Sequence, residues 1–322
     1  MTFIKRSILP IVLSVLLVMF TFYVALDTFV IPQVYSSVST EQTSGALTSG
    51  SGQSGSTASN GASSGGSGSS GTAAAGSTDA ETTDSSYSDD NISVNVTTYR
   101  KYDTSIYVAD VKVSSPEYLK TVLANNSYGR NVTEKTSEIA EEAGSILAIN
   151  GDFYGAQESG YVIRNGVIYR DTSAGKEDLV IYEDGSFGVI DEDDVTAEEL
   201  LEKGAQQVLS FGPALVENGQ VSVSENEEVG KAMASNPRTA IGIIDDCHYV
   251  FVVSDGRTSE SEGLTLSQMA EFMQGLGVTT AYNLDGGGSS TMYFNGQVVN
   301  KPTTNGRSIS ERSVSDIVSI GY

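Results

Sequence analysis

The sequence predicts an α+β fold in which a largely antiparallel or mixed sheet carries a few packed helices, behind an N-terminal transmembrane helix and a disordered linker. From Asn91 onward, short β-rich runs alternate with Asn-Gly and Asp-Gly dipeptides, which supply the positive φ angles of tight hairpin turns. Helical segments with an apolar face are few in this part of the chain. The residues before Asn91 form one apolar run and one Ser/Gly-rich run, and neither run is typical of a globular domain.

The apolar run is predicted to span a membrane. Residues 7–26 carry no charged side chain, and about twenty apolar helical residues match a hydrocarbon core of about 30 Å. Lys5 and Arg6 precede the run and Asp27 follows it, which places the N-terminus in the cytoplasm and the rest of the chain outside. A cleaved signal peptide is the alternative, although its apolar core is usually shorter. We therefore predict that residues 1–35 are a cytoplasmic tip and a single-pass signal-anchor in the cell membrane.

Residues 36–90 are predicted to be a disordered linker. Their composition is mainly Ser, Gly, Thr and Ala with scattered acidic residues, which cannot bury enough apolar surface to offset the entropy of ordering. A flexible coil of this length spans on the order of 40 Å and would hold a domain away from the bilayer. Residues 91–322 are then an extracellular domain displayed on this tether.

The charge of the chain excludes several classes of partner. The net charge is −23 and the isoelectric point is about 4.2, which argues against nucleic acid and against adhesion to anionic lipid. The only cysteine, Cys247, excludes an intramolecular disulfide, and the only histidine, His248, excludes a multi-histidine metal site. Acid–base chemistry in this chain therefore falls to carboxylates.

Tight turns are predicted at dipeptides flanked by β-rich runs, namely Asn165-Gly166, Asp184-Gly185, Asn218-Gly219 and Asn295-Gly296. Residues 245–248 are a further turn between two apolar strands.

Two helices are predicted from their capping and their apolar faces. Thr265 and Gln268 have capping-box spacing, and apolar residues at helical spacing follow them. An earlier helix begins at Thr133 and ends at Gly144.

An apolar strand and then an Asn-x-Asp sequence follow each of these helices. The first such sequence runs from Asn150 to Asp152, and the second runs from Asn283 to Asp285. Alternation along a strand directs each Asn and its Asp to one side, so we expect the two strand ends to face a common cleft. Coincidence is the alternative, because Asn and Asp favour turns after strands.

A glycine-rich loop follows the second Asn-x-Asp sequence. Residues 286–288 are all glycine, and Ser289, Ser290 and Thr291 follow them. Such a loop allows positive φ and close approach of a ligand to backbone N–H groups, so it suits a phosphate or a sugar. It is not a P-loop, because no Lys follows the glycines. A flexible turn between strands is the alternative.

Four ordered motifs resemble the phosphodiester glycosidase family. They are NGDFY at 150–154, NPRTAIG at 236–242, DGR at 255–257 and NLDGGGSST at 283–291. The resemblance covers roughly residues 91–322 and implies an α+β hydrolase that cleaves the bond between a sugar C1 and a phosphodiester oxygen. Bacterial members include cell-surface proteins, some of them exopolysaccharide-related. Where the vertebrate members of the family tend to have a small residue after Asn-Gly, this chain has Asp152, so the role of Asp152 is not simply inherited from the family.

We assign catalytic roles on general chemical grounds. Glycoside hydrolysis usually uses two carboxyl groups, and we assign Asp285 as nucleophile or water-activating base and Asp152 as the second carboxylate. Charge on a phosphate leaving group is stabilised by the planar fork of arginine, a role we give to Arg238 and Arg257. The alternative for each arginine is a structural or solvated ion pair. Arg307 and Arg312 are weaker candidates.

The remaining candidates are predicted to bind substrate. We expect Asn150 and Asn283 to bind sugar hydroxyls, and the glycine-loop N–H groups and the three hydroxyls after them to bind phosphate oxygens. The predicted substrate-binding set is Asn150, Gly151, Arg257, Asn283, Gly286, Gly287, Gly288, Ser289, Ser290 and Thr291.

No cofactor and no metal are predicted. Clustered Asp and Asn oxygens would suit Ca²⁺ or Mg²⁺, which is the alternative, but EF-hand spacing is absent. The acidic run at 191–194 is interpreted as a solvated loop.

The chain is thus predicted to be a membrane-anchored extracellular glycosidase acting on sugar-1-phosphodiester bonds in a surface polysaccharide or teichoic-type polymer. A non-catalytic module that binds phosphorylated cell-wall glycan is one alternative, and an envelope scaffold is another.

Overall fold

The computed structural model describes residues 2–37, 81–224 and 235–322. Within these ranges the α-helices are α1 (Thr2–Phe29), α2 (Thr136–Glu142), α3 (Ala197–Glu202) and α4 (Leu266–Gly275). Single 3₁₀ turns lie at Pro116–Tyr118, Ala124–Asn126, Tyr154–Ala156 and Gly287–Ser289.

Strands make up most of the regular structure. In the first part of the chain they are β1 (Gln33–Ser37), β2 (Glu81–Thr82), β3 (Ser86–Ser88), β4 (Ile92–Lys101), β5 (Thr104–Val113), β6 (Leu119–Leu123), β7 (Ser127–Arg130), β8 (Leu147–Asn150), β9 (Val162–Arg164), β10 (Val167–Arg170), β11 (Glu177–Tyr182) and β12 (Phe187–Asp191). In the second part they are β13 (Ala205–Leu209), β14 (Ala214–Glu217), β15 (Gln220–Val221), β16 (Arg238–Asp245), β17 (His248–Ser254), β18 (Thr280–Leu284), β19 (Met292–Phe294), β20 (Gln297–Val298) and β21 (Asp316–Ile320).

The described strands form a nine-stranded sheet, two five-stranded sheets and the pair β1–β7. The nine-stranded sheet has the order β15-β14-β18-β16-β17-β5-β4-β3-β2. The other two sheets have the orders β20-β19-β8-β21-β6 and β10-β9-β13-β11-β12. Every pair that involves β8, β16 or β18 is antiparallel. The predicted α+β fold with largely antiparallel sheets is therefore confirmed.

The largest apolar core lies where the three sheets meet. It joins residues of the nine-stranded sheet, such as Phe251 and Tyr282, with Ile149 of β8 and Leu179 of β11. The helices cover outer faces. Helix α4 packs on the nine-stranded sheet, α2 on β8 and β21, and α3 on β13. The sheet interfaces, and not the helices, therefore fix the positions of the strand ends that carry the candidate site.

The predicted turns are where the sequence places them. At Asn165-Gly166, Asn218-Gly219 and Asn295-Gly296 both residues have positive φ, whereas at Asp184-Gly185 only the glycine has it. The turn between β16 and β17 has Cys247 at φ 55°. Local turn chemistry thus predicted the hairpins correctly.

The predicted helices need one correction and one addition. The capping box of α4 is present at Thr265. Helix α2 begins at Thr136 and not at Thr133, because Glu134 is engaged in a β-bridge with Val314. Helix α3 was not predicted, although Thr196 and its partner Glu199 form a complete capping box.

The boundary between linker and domain is earlier than the sequence predicted. Strands β2 and β3 lie within the predicted linker, and β3 pairs with β4 through Tyr87 and Val94. Tyr87 joins the main apolar core, which explains why this segment is ordered with the sheet. Residues 38–80 of the predicted linker lie outside the described residues.

Helix α1 includes the predicted membrane segment. Over the described residues, no helix is both long and apolar enough to cross a membrane. The membrane assignment of residues 7–26 stays a prediction from the sequence.

The acidic run at 191–194 is only partly a solvated loop. Asp191, Asp193 and Asp194 are exposed, but Glu192 is buried. Backbone N–H groups explain its burial, because Tyr161 and Ala174 both donate to its carboxylate.

Beside Glu192 lies a second buried acid, Asp178. Both of its carboxyl oxygens are buried without a hydrogen-bond donor. Burial raises the pKa of Asp178 to about 9, and the nearby charge of Glu192 adds to the effect. Asp178 is therefore protonated at neutral pH.

Replacing Asp178 by Asn should flatten the pH dependence of stability. The folded state holds a proton that the unfolded chain releases above about pH 4, so wild-type stability falls as pH rises from about 4 to about 9. The variant should be more stable than wild type at pH 8 by about 1–3 kcal/mol in urea unfolding. Asp171→Asn, which removes an exposed carboxylate, should leave the slope unchanged. A wild-type slope in Asp178→Asn would contradict the assignment.

Candidate active site

One cleft of about 500 Å³ lies where the ends of β8 and β18 meet. Both Asp152, just after β8, and Asp285, just after β18, line it. The predicted common cleft is therefore confirmed.

Hydrogen bonds of Asn150 hold the two strand ends together. Its side-chain amide donates to the backbone oxygen of Asp285 at 2.6 Å. Its side-chain oxygen accepts from the hydroxyl of Thr239 at 2.8 Å and from the N–H of Thr291 at 3.2 Å. The N–H of Asp285 donates to the backbone oxygen of Gly151 at 3.2 Å. Asn150 is fully buried, so it positions the cleft and is not accessible to a sugar.

Asp285 is the most accessible carboxylate of this junction, with a side chain 16% exposed. Its Oδ2 accepts from the hydroxyl of Ser289 at 2.6 Å and from Nη2 of Arg312 at 3.0 Å. Burial raises the pKa of Asp285, while the charge of Arg312 opposes that rise. The carboxylate is therefore desolvated and lies beside a guanidinium, an arrangement that suits a nucleophile or a base.

A second arginine, Arg257, reaches the cleft from the loop after β17. Both its Nε and its Nη2 donate to the side-chain oxygen of Asn236, at 3.2 and 2.8 Å. Its Nη1 donates to the backbone oxygen of Thr304 at 2.6 Å. Burial lowers the pKa of Arg257, and the nearby charge of Arg312 lowers it further. Two neighbouring cations repel each other, so an anion bound between them would be stabilised.

The third arginine of the cleft, Arg238, opens β16 and is only 3% exposed. Its N–H donates to the hydroxyl of Ser254, and its Nε donates to the backbone oxygen of Leu264, both at 2.9 Å. The bond from Nε holds the guanidinium at the wall of the cleft.

The glycine loop brings neighbouring groups close together. A β-carbon at Gly287, where φ is 62°, would lie 2.9 Å from Nη2 of Arg257. A β-carbon at Gly288 would overlap the hydroxyl of Thr304. The N–H of Gly287 donates to the backbone oxygen of Pro237 at 2.8 Å. At Gly287 the predicted phosphate cradle is therefore replaced by close packing against the guanidinium of Arg257.

Part of the chain matches a known protein family. Residues 143–320 match the family described as phosphodiester glycosidase, which is more than half of the chain. The chain belongs to the phosphodiester glycosidase family. The resemblance predicted from the four motifs is thereby confirmed.

Relatives are found in bacteria and in vertebrates. The chain is 30% identical over 218 residues to the SPbeta prophage-derived uncharacterized protein YomE of Bacillus subtilis, covering 66% of this chain and 33% of that protein. It is 30% identical over 233 residues to N-acetylglucosamine-1-phosphodiester alpha-N-acetylglucosaminidase of Bos taurus, covering 65% of this chain and 43% of that protein. The chain thus spans less than half the length of either relative.

Solved structures share the fold. The catalytic domain of zebrafish N-acetylglucosamine-1-phosphodiester alpha-N-acetylglucosaminidase, auto-inhibited by its pro-peptide, matches with a TM-score of 0.57 at 21% identity, covering 72% of this chain and 83% of that one. A hypothetical protein from Synechocystis matches with a TM-score of 0.56 at 13% identity, covering 71% of this chain and 62% of that one.

The predicted site residues divide into two groups. Those that line the cleft are Asp152, Arg238, Arg257, Asp285, Gly286, Gly287 and Ser289. Those that lie behind its wall are Asn150, Gly151, Asn283, Gly288, Ser290 and Thr291.

The second group has structural contacts that explain its position. The amide of Asn283 donates to the backbone oxygen of Gly212 at 2.8 Å. The hydroxyls of Ser290 and Thr291 are buried without partners. A β-carbon at Gly151 would overlap the carboxylate of Asp316. Their predicted contacts with substrate therefore need correction, because their side chains face the protein interior.

Eleven further residues line the cleft but were not in the predicted set, and among them are Phe153, Phe211, Asn236 and Arg312. Phe153 and Asn236 belong to the quoted motifs, which was the available signal. Arg312 was considered only as a weaker candidate.

Asp152 differs from Asp285 because it is almost completely bonded within the protein. Its Oδ2 accepts from Nη2 of Arg164 at 2.8 Å and from the N–H of Ser210 at 2.9 Å. Its Oδ1 accepts from the N–H of Tyr154 at 2.9 Å. This leaves room for one more donor on Oδ1, so Asp152 is better placed to orient a ligand than to transfer a proton.

Arg164 links Asp152 to another buried acid. It is 2% exposed, and its Nε donates to Asp316 at 2.8 Å. Burial raises the pKa of Asp316, and the charge of Arg164 opposes that rise. The network Asp152–Arg164–Asp316 therefore fixes the back of the cleft.

Replacing Arg164 by Met should destabilise the fold by about 3–5 kcal/mol in urea unfolding, because two buried carboxyls lose their cation. Adding Asp152→Asn and Asp316→Asn to Arg164→Met should restore part of that loss. Arg130→Met, which breaks an ion pair with the exposed Glu158, should cost less than about 1 kcal/mol. Equal effects at Arg164 and Arg130 would contradict the network.

Proposed function

We propose that this protein is a membrane-anchored extracellular glycosidase that hydrolyses sugar-1-phosphodiester bonds in a cell-surface polysaccharide or teichoic-type polymer. The observation that carries the proposal is a desolvated carboxylate, Asp285, in one cleft with Arg238, Arg257 and Arg312. The carboxylate suits attack at a sugar C1, and the arginines suit the phosphate.

In this proposal the carboxylate acts on the sugar, and the arginines act on the phosphate. Asp285 attacks C1 or takes a proton from the attacking water, and the bond between C1 and the phosphodiester oxygen breaks. The electron pair leaves with the phosphate, which is a weak base and needs little protonation because its second pKa is about 6. Arg257 and Arg312 stabilise the charge that grows on the leaving oxygen. Water supplies the hydroxyl of the released sugar.

Two aromatic rings support a sugar subsite in the same cleft. Phe153 and Phe211 line it and contact each other edge-to-face with ring centroids 4.9 Å apart. Both are only half-buried. The C–H face of a pyranose could cover the exposed ring surface, which would bury apolar area.

The remaining parts of the proposal rest on the sequence. Residues 7–26 lack charge and follow Lys5 and Arg6, which supports a single-pass anchor with the catalytic domain outside. A phosphorylated surface glycan would then be within reach of the domain. No metal is included. Among the described residues, no group of three or more His, Cys, Asp or Glu is arranged to hold one.

Asp285→Asn should reduce release of sugar from a GlcNAc-α-1-phosphodiester by at least about 100-fold, because the variant lacks a nucleophile or base. Binding of the substrate should stay within a few-fold of wild type in calorimetry. A binding module would give no turnover in either protein, which would sink the glycosidase proposal. The activity with EDTA should equal the activity without it. A loss of activity in EDTA would show that the reaction requires a metal ion.

The phosphate assignment has a matched pair of variants. Arg312→Lys should raise KM and lower kcat, because lysine cannot keep both the contact with Asp285 and a planar fork for phosphate. Arg307→Lys changes an exposed arginine outside the cleft and should have wild-type kinetics. Identical kinetics for the two variants would remove Arg312 from the site.

Phe211→Ala should raise KM about tenfold with little change in kcat, because the ring binds ground state and transition state alike. Phe211→Leu keeps an apolar side chain but removes the ring face. This variant therefore distinguishes the contribution of stacking on the sugar from the contribution of burying apolar surface. If Phe211→Leu behaves as wild type, stacking is not the source of the affinity.

A further inference from the structure

The segment that follows α1 is docked on the catalytic domain. Strand β1 pairs antiparallel with β7, with Val34 opposite Gly129. A β-carbon at Gly129 would overlap the backbone oxygen of Gln33 and would lie 2.8 Å from Cα of Val34. Tyr35 adds a ring contact with Tyr128 at 5.9 Å between centroids. The contact between the strands is thus close enough to require glycine at position 129.

The same docking joins the cleft to the end of α1. Asn131, directly after β7, lines the cleft. Its amide donates to the backbone oxygens of Thr28 and Ile31, both at 3.3 Å. The last carbonyls of a helix need such donors, so Asn131 acts as a side-chain cap for α1. The rim of the cleft and the C-terminal end of α1 are therefore one hydrogen-bonded unit.

Helix α1 exposes apolar side chains on several sides. Leu17, Val18, Met19, Phe20 and Phe22 are each 63–65% exposed. A bilayer is the occupant whose chemistry fits apolar side chains exposed on several sides of a helix.

The docking of β1 on β7 also limits how far the predicted linker can separate the domain from α1. The chain returns to the same domain at β2, whose partner β3 belongs to the nine-stranded sheet. Residues 38–80 therefore connect two segments that are both attached to the domain. With α1 in a bilayer, the pairing of β1 with β7 would set the distance between domain and bilayer, and the length of the linker would not.

We propose that β1 and Asn131 hold the cleft at the bilayer surface, so that the enzyme acts on a sugar-1-phosphodiester of a long-chain alcohol embedded in the same bilayer. This inference rests on the proposed function. Water adds to C1, the bond between C1 and oxygen breaks, and the lipid keeps the phosphate. A net charge of −23 opposes close approach to anionic lipid, so the bilayer used in the test is zwitterionic phosphatidylcholine.

The first test compares two substrates with the same sugar in vesicles that contain the full chain. One is a soluble methyl phosphodiester, and the other is the phosphodiester of a long-chain alcohol within the vesicle. Gly129→Ala should keep wild-type turnover of the soluble substrate and lose about tenfold or more on the embedded one, because the effective concentration falls. Gly275→Ala is the control, since a β-carbon there meets nothing within 4 Å. Equal losses on both substrates, or none on either, would overturn the proposal.

The second test does not require activity. In a Cys247→Ser background, Ala156→Cys places the only cysteine at the exposed rim of the cleft, where a fluorophore can be attached. Nitroxide lipids in the vesicle should quench this fluorophore in the docked protein several-fold more than in Val34→Pro, which removes an N–H from β1 without altering the domain. Equal quenching in both proteins would overturn the proposal. Strong quenching with no turnover of either substrate would instead refute the glycosidase function alone.

Discussion

The side chain of Asn150 is the interaction on which the cleft depends. It bonds to the backbone of Asp285, the hydroxyl of Thr239 and the N–H of Thr291. These partners belong to different sheets, or to the loop between them, so one buried amide sets the register between the end of β8 and the end of β18. Loss of any partner would leave a buried polar group unpaired, which costs about 1–3 kcal/mol. The geometry of the candidate site is thus part of the folded core.

The cleft is lined by cationic side chains, although the chain as a whole has a large negative charge. The protein is strongly acidic, yet Arg238, Arg257 and Arg312 converge on one cleft. Each is held by neutral or anionic oxygens, such as Asn236 for Arg257 and Asp285 for Arg312. Charges that are close together and partly buried interact strongly, whereas salt screens the distant acidic groups at the surface. The arginines therefore dominate the electrostatic field within the cleft.

Local chemistry in the sequence predicted much of the fold, and long-range pairing explains what it missed. Turn dipeptides and the capping box of α4 act within a few residues, so their signal is visible in sequence. The partnership of Arg164 with Asp316 spans 152 positions, and no local pattern marks it. The hydroxyls after the glycine loop were assigned to phosphate because their type is suitable. Their direction depends on the turn at Gly287–Ser289, which buries Ser290 and Thr291.

In the proposed reaction, the contact between Arg312 and Asp285 would also couple substrate binding to catalysis. Nη2 of Arg312 donates to Asp285, and the charge of Arg312 opposes the rise in the pKa of that carboxyl. A bound phosphate is a competing acceptor for the same guanidinium, and its negative charge offsets the field that Asp285 feels. Both changes raise the basicity of Asp285. In the proposed reaction, Asp285 would therefore be a stronger nucleophile or base when the anionic part of the substrate is in place, which would link its reactivity to occupation of the arginine site.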